Sequence, residues 1–213
     1  MKIEKRFLKV NNVEIRAVSN GDGEDKTEDR FVSGTGAVYG EEVEIWPGYM
    51  EKVRSGAFDD SLTGDSEIKS YFNHNPDFVL STTKSSPALE LNSTSAGLVF
   101  DSPIPPTTYG EDLAVNLERG NVRGASFSFT VDEDILIIDE DDIYHREIVK
   151  ATLYEVGPVT NPAYPQTEVG VRDREASFNE IQARVESEKK LRSENSGSDL
   201  DHLKMKQSIL ELS

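Results

Sequence analysis

The sequence contains no cysteine, only three histidines and a single tryptophan in 213 residues. Without cysteine there can be no disulfide, no thiol catalysis and no cysteine-ligated metal centre. Basic residues are also scarce, with 23 Lys and Arg against 40 Asp and Glu, for a formal net charge of −17. That charge argues against a surface that binds nucleic acid or an anionic membrane.

Long apolar runs are missing as well. No segment is apolar for long enough to span a bilayer, and the N-terminal residues do not have the apolar core of a secretory signal. We therefore expect a soluble protein that works inside a cell and has no membrane partner. Hydrophobic residues make up 36% of the chain, which is low for a chain packed throughout, so part of it should contribute little to the core.

The character of the chain changes after Arg172. Residues 175–192 are densely charged with sparse apolar positions, and a second pattern with leucines at near-heptad spacing begins at Ser198. These patterns are typical of a solvated or partner-bound helix. We expect a folded domain over residues 1–172 and a charged, helical or flexible tail over 173–213.

Short apolar segments separated by Gly, Pro, Ser and Thr turns dominate the predicted domain. This spacing predicts a β-rich α+β fold with antiparallel connections. Two helices are expected, one over residues 55–62 and one that begins at the capping-box pair Thr108 and Glu111 and ends at Gly120. A predicted strand over 31–39 is interrupted by glycine, which indicates a bulge or a close backbone approach.

An acidic segment over residues 132–142 holds seven carboxylates around four apolar residues. It lacks the glycine and the downstream glutamate of a calcium loop. We interpret it as an apolar strand flanked by solvated charges. No metal and no cofactor is expected for this chain.

Residues 124–131 have the strict polar–apolar alternation of a half-buried strand. Phe127 and Phe129 should face the core, and Ser126 and Ser128 the opposite side. A serine nucleophile needs a base such as histidine, oriented by a third group. Glu155 interrupts the inward face of a later strand, and a carboxylate there must have a partner. The pattern alone is typical of an ordinary strand serine.

Three short motifs carry a resemblance: Phe-Asn-His-Asn-Pro at 72–76, Gly-Ala-Ser-Phe-Ser-Phe at 124–129, and Tyr-Glu-Val-x-x-Val-x-Asn-Pro-Ala-Tyr-Pro-Gln-Thr at 154–167. Gly-x-Gly-Ala-Val-Tyr-Gly at 34–40 and Arg-Ser-Gly-Ala-Phe-Asp-Asp-Ser-Leu at 54–62 precede them. Together they resemble the prohead (capsid maturation) serine proteases of tailed phages, a family related in fold to the herpesvirus assemblin proteases. The resemblance covers roughly residues 30 to 172.

The resemblance implies a closed antiparallel β-barrel with flanking helices. It also implies acyl transfer, with Ser126 as nucleophile, His74 as general base and acid, and Glu155 as the group that orients His74. The herpesvirus relatives use a second histidine in the third role, so His145 competes with Glu155. Ser128 competes with Ser126 because it shares the same face.

The family pattern usually has glycine at the positions of Ser128 and Ser81, and both departures put activity in question. An oxyanion hole is also required, and the backbone of residues 161–163 is our candidate.

The resemblance further implies an endopeptidase that cuts the major capsid protein precursor and its scaffold segment, inside the prohead in the host cytoplasm. The tail over 173–213 would tether the enzyme within the assembling shell. Self-cleavage and homo-oligomerisation stay open. Two alternatives are a catalytically silent capsid-assembly scaffold with the same barrel, and a generic β-barrel binding module.

Overall fold

The computed structural model describes residues 3–7, 13–20 and 27–160, together with positions 183, 184, 186, 187 and 190. Backbone contacts divide the chain into two compact units, Met1–Ala163 and Tyr164–Ser213. The five described positions of the second unit are helical. The expected boundary at 172 and the rest of the expected tail lie outside the described residues. Across the described ranges, no helix is both long and apolar enough to cross a membrane.

The described part of the first unit holds eleven strands and two helices. The strands are β1 (Glu4–Phe7), β2 (Val13–Asn20), β3 (Thr27–Val38), β4 (Val43–Trp46), β5 (Tyr49–Val53), β6 (Lys69–Tyr71), β7 (Val79–Thr82), β8 (Glu90–Ser93), β9 (Gly97–Pro103), β10 (Gly124–Ile138) and β11 (Tyr144–Val159). The helices are α1 (Asp59–Thr63) and α2 (Thr108–Glu118). The chain is thus β-rich, as the spacing of its short apolar segments predicts.

The predicted closed barrel is wrong, because the strands form two open sheets. The larger has seven strands in the order β1-β10-β11-β5-β4, with β6 paired to β11 and β7 to β6; the smaller has the order β2-β3-β9-β8. The larger sheet branches because the long strand β11 uses one edge for β10 and divides the other between β5 and β6, both parallel to it. Closure would need its edge strands to pair, and the described residues show no such pairing.

Helix α1 begins later than expected, and α2 begins one residue earlier than expected. Residues 55–58 form turns before α1, and the N-cap of α2 is Thr107 rather than Thr108. The Thr107 side chain accepts a hydrogen bond from the Gly110 N–H at 3.2 Å. Gly120 follows α2 with φ +68°, the left-handed conformation that ends many helices and that glycine adopts without strain.

The core lies on the apolar face of β10. Phe58 at the start of α1 is fully buried, and its ring packs edge-on against Phe127 and Phe129 at centroid distances of 5.7 and 6.1 Å. Burying one such side chain is worth about 1.5–3 kcal/mol. Because strand side chains alternate, this packing places Ser126 and Ser128 on the opposite face.

The two sheets approach each other at Gly36 in β3. The register of β3 against β9 shifts at this residue, and a Cβ on Gly36 would lie 2.4 Å from Cγ2 of Val156 in β11. The expected bulge is therefore confirmed, and the group that lies close to the glycine is a side chain rather than a backbone. An isolated parallel bridge between Tyr39 and Val53 also links the two sheets.

The acidic segment forms the outer half of β10 and the turn into β11. The Asp139 carboxylate accepts hydrogen bonds from the backbone N–H groups of Asp141 and Ile143, both at 2.9 Å. His145 lies beside the turn, with Nδ1 2.9 Å from Glu42 and Nε2 3.2 Å from Asp139. Hydrogen bonds to Glu42 and Asp139 raise the pKa of His145 above its ordinary value of 6.5.

The raised pKa of His145 predicts a small, pH-dependent contribution to stability. A histidine with a raised folded-state pKa stabilises the fold below its unfolded pKa, and the effect is lost as pH rises through the folded pKa. His145→Gln should therefore lower the free energy of unfolding by a few tenths of a kcal/mol near pH 6, because the ion pairs are exposed and screened. Near pH 9 the substitution should be neutral. Urea unfolding at the two pH values measures this, and an equal cost at both would contradict it.

Candidate active site

Ser126 lies in β10 with a strand on either side. It pairs with Gly157 of β11 and with Phe7 of β1, and it is fully buried. Its hydroxyl is 2.5 Å from Nε2 of His74 and 2.8 Å from the carbonyl oxygen of Arg6. A single hydroxyl proton thus has two acceptors in reach, one of which is the imidazole that acyl transfer requires.

His74 reaches Ser126 from a strained loop that follows β6. Asn73 and His74 have φ values of 55° and 57°, a left-handed conformation that is uncommon for residues other than glycine. The end of β11 holds the loop in place. The Asn73 N–H donates to the Pro158 carbonyl at 3.0 Å, and its side-chain oxygen accepts from the Thr160 N–H at 2.9 Å. Such strain persists where surrounding contacts determine the conformation.

Gly157 lets the chain that carries His74 pass close to Ser126. A Cβ at this position would lie 2.3 Å from the Tyr71 carbonyl oxygen, which is closer than atoms can approach without a backbone shift. Because Gly157 pairs directly with Ser126, any such shift would act on the serine–histidine distance. The glycine is required here for close packing of the backbone.

Glu155 completes a hydrogen-bonded chain. It is buried on β11 opposite Ser128, and one carboxylate oxygen lies 2.8 Å from Nδ1 of His74. A carboxylate only accepts hydrogen bonds, so Nδ1 of His74 carries the proton of this bond. In the neutral imidazole, Nε2 is then an acceptor that faces the Ser126 hydroxyl. The sequence predicted that a carboxylate at position 155 must be partnered, and His74 is a partner.

Ser128 is hydrogen-bonded to the carboxylate of Glu155, whereas Ser126 faces Nε2 of His74. Its hydroxyl donates to the second oxygen of Glu155 at 2.9 Å, and it lies 3.4 Å from Nδ1 of His74. The nitrogen that could accept a serine proton faces Ser126. Sequence reasoning placed Ser128 on the correct face but missed this contact, because the register that sets Ser128 opposite Glu155 has no local signal.

His145 is not part of this group. It pairs with Ile137 near the turn of the hairpin, twelve residues along β11 from Gly157, or roughly 40 Å of strand at about 3.3 Å per residue. Ser81 is buried and bonds to Ser102 at 2.8 Å. His202 and residues 161–163 lie outside the described residues. Within the described ranges, no cluster of three His, Asp or Glu side chains is arranged to hold a metal.

Sequence reasoning missed the position of the N-terminal strand beside Ser126. Residues 2–18 alternate charged and apolar residues, a pattern that indicates an initial strand or hairpin but not its partner. In the structure, β1 lies along β10 and brings the Arg6 carbonyl to Ser126. A short strand with two basic residues and one acid gives no local indication of its pairing partner.

The geometry combines a hydroxyl, an imidazole and a buried carboxylate in one relay. The model of the caudovirus prohead serine protease family matches residues 12–181. A solved structure described as the bacteriophage T4 capsid assembly protease, gp21, is similar with a TM-score of 0.44 and 11% identity, over 75% of this chain and 99% of that chain. No curated protein matches the chain. Since the family model covers most of the sequence, the chain belongs to the caudovirus prohead serine protease family.

Proposed function

We propose that this chain is a serine endopeptidase that cleaves capsid and scaffold precursor proteins within the assembling prohead. The observation that carries the proposal is the continuous contact from Ser126 through His74 to Glu155, at 2.5 and 2.8 Å. Three residues from β10, β11 and the loop after β6 meet in the order that acyl transfer uses. Membership of the prohead protease family supports the same class of reaction.

The proposed reaction proceeds in two steps. Ser126 Oγ bonds to the scissile carbonyl carbon while its proton passes to Nε2 of His74; the carbon–nitrogen bond then breaks, and the leaving amine takes that proton. Water hydrolyses the resulting ester, again with His74 as base, and releases the new carboxylate and Ser126. Glu155 holds the imidazole through Nδ1–H and stabilises the imidazolium that forms in each step.

Membership of the family supports our proposal for the substrate and for the place of cleavage. A prohead protease acts on the proteins that surround it in the assembling shell, so we assign the capsid precursor and its scaffold segment as substrates. We propose that residues 1–172 form the protease domain and that residues 173–213 tether the enzyme inside the assembling shell.

Serine labelling tests the nucleophile with a matched pair of residues on one face of β10. A fluorophosphonate should label wild-type protein, and Ser126→Ala should lose all labelling and cleavage of co-expressed capsid precursor. Ser128→Ala keeps the nucleophile but removes one hydrogen bond to a buried carboxylate, worth about 1.5–3 kcal/mol. It should therefore be labelled more slowly, by roughly tenfold to a hundredfold. Intact-protein mass spectrometry measures both rates.

The labelling experiment also distinguishes a silent scaffold from an enzyme. Absence of labelling in the wild type, together with an uncut precursor, would favour the scaffold. Equal labelling of wild type and Ser126→Ala would show that another residue reacts.

The third member of the relay is tested by Glu155→Gln against His145→Gln. An amide in place of Glu155 keeps the shape but removes the charge that stabilises the imidazolium, so kcat for precursor cleavage should fall by about 10⁴-fold. His145→Gln should leave kcat within about twofold, because His145 bonds to Glu42 and Asp139 near the turn of the hairpin, far along β11 from the relay. Loss of cleavage in His145→Gln alone would defeat the assignment of Glu155.

Gly157→Ala tests whether the close approach of β6 positions His74. The added methyl group must displace the Tyr71 carbonyl, and a misplacement of about 1 Å can cost 10²-fold in rate. We expect the labelling rate of Ser126 to fall by about that factor while circular dichroism shows a folded protein. If the folded variant were labelled at the wild-type rate, Gly157 would not be needed to position His74 beside Ser126.

A further inference from the structure

The strand β1 occupies the edge of β10 that carries Ser126. It runs antiparallel to β10, with Arg6 opposite Phe127 and Phe7 opposite Ser126. The Ser126 hydroxyl is 2.8 Å from the carbonyl oxygen of Arg6. Adding an extended strand to a sheet edge is a common mode of peptide binding. The carbonyl that Ser126 contacts belongs to the peptide bond after Arg6.

The Arg6 side chain fills a built pocket. Its Nε and Nη2 donate to the two carboxylate oxygens of Glu51 at 2.5 and 2.8 Å, a two-pronged pairing. The Arg6 guanidinium also lies 5.5 Å from the centre of the Phe129 ring. Glu51 is only 4% exposed. A buried carboxylate in contact with a planar guanidinium is an arrangement that recognises arginine by shape and charge.

The hydrogen bonding of Glu51 also favours an incoming guanidinium. Arg146 of β11 donates to Glu51 at 3.1 Å and to Asp134 at 2.8 Å. Without β1, Glu51 keeps the bond from Arg146 but loses both hydrogen bonds from Arg6. A buried carboxylate oxygen that loses its donor is unfavourable, and an arginine of an incoming peptide would replace both bonds.

We propose that β1 lies in the substrate groove of the protease in place of a substrate, and that Glu51 selects arginine as the residue before the cleaved bond. This inference rests on the proposed function. The ester on Ser126 would form at the carbonyl carbon of that arginine, the bond to the next residue's nitrogen would break, and water would release a product that ends in arginine. Because β1 fills the groove, it must leave before a substrate can enter.

The first arm of the test measures opening of the groove in the full-length chain. Arg6→Gln removes the pairing with Glu51 and should raise the rate of fluorophosphonate labelling at Ser126 by at least about tenfold. Lys5→Gln is the matched control, since it removes a positive charge from the neighbouring, exposed position of the same strand. It should be labelled at the wild-type rate. Equal acceleration in both variants would contradict a role for the pocket.

The second arm measures selectivity with the peptide Ile-Glu-Lys-Arg-Phe-Leu-Lys-Val and a counterpart that has glutamine in place of arginine. The Arg6→Gln chain should cut the first peptide after arginine with a kcat/KM about 100-fold above that for the second. Adding Glu51→Gln should remove most of that preference while Ser126 is still labelled. Labelling of Ser126 without preferential cleavage after arginine would overturn the proposal and leave the proposed function intact.

The third arm does not depend on catalysis. Full-length Ser126→Ala/Arg6→Gln should bind the arginine peptide at least about tenfold more tightly than the glutamine peptide, as measured by fluorescence anisotropy. If Ser126 is never labelled and the precursor remains uncut, the proposed function fails. The binding measurement alone then tests whether the pocket at Glu51 recognises arginine. An arginine peptide that binds no more tightly than the glutamine peptide overturns the proposal.

Discussion

The antiparallel register between β10 and β11 is the constraint on which the candidate site depends. It sets Ser126 opposite Gly157 and Ser128 opposite Glu155, so the hydroxyl and the carboxylate lie on one face, two residues apart along the hairpin. A slip of one residue would turn each of these side chains to the other face of the sheet. The packing of Phe58 against Phe127 and Phe129 opposes that slip, so the hydrophobic core fixes the geometry of the polar site.

The buried carboxylate explains why the remaining polar groups lie where they do. An ionised group in a low-dielectric interior needs partners for its oxygens, and Glu155 has His74 on one oxygen and Ser128 on the other. Ser128, which stands where the family pattern usually has glycine, therefore adds a hydrogen-bond donor to the Glu155 carboxylate. His74 reaches Glu155 from a left-handed loop, and Asn73, bonded to the end of β11, holds that loop.

The sequence predicted those features that depend on local periodicity or on motif order. The polar–apolar alternation predicted that Phe127 and Phe129 face the core. Glu155 falls at an inward position of its strand, which predicted that its carboxylate has a partner. The order of the motifs indicated His74 as the base. Periodicity does not specify which strand edges pair across long separations, so the branching at β11 and the open sheets were missed. The same limit hid the place of β1 and the contact between Ser128 and Glu155, both set by nonlocal register.

Strand β10 connects the proposed recognition pocket to the proposed catalytic relay. Phe129 lies beneath the guanidinium of Arg6 on one face, while Ser126 meets His74 on the other. A side chain held by Glu51 therefore fixes the position of its own carbonyl relative to the serine, because one peptide unit spans both contacts. Binding energy from the buried ion pair would then orient the bond that is cleaved. Contacts remote from the reacting atoms raise the rate of the chemical step, and not only the affinity, when they orient the substrate in this way.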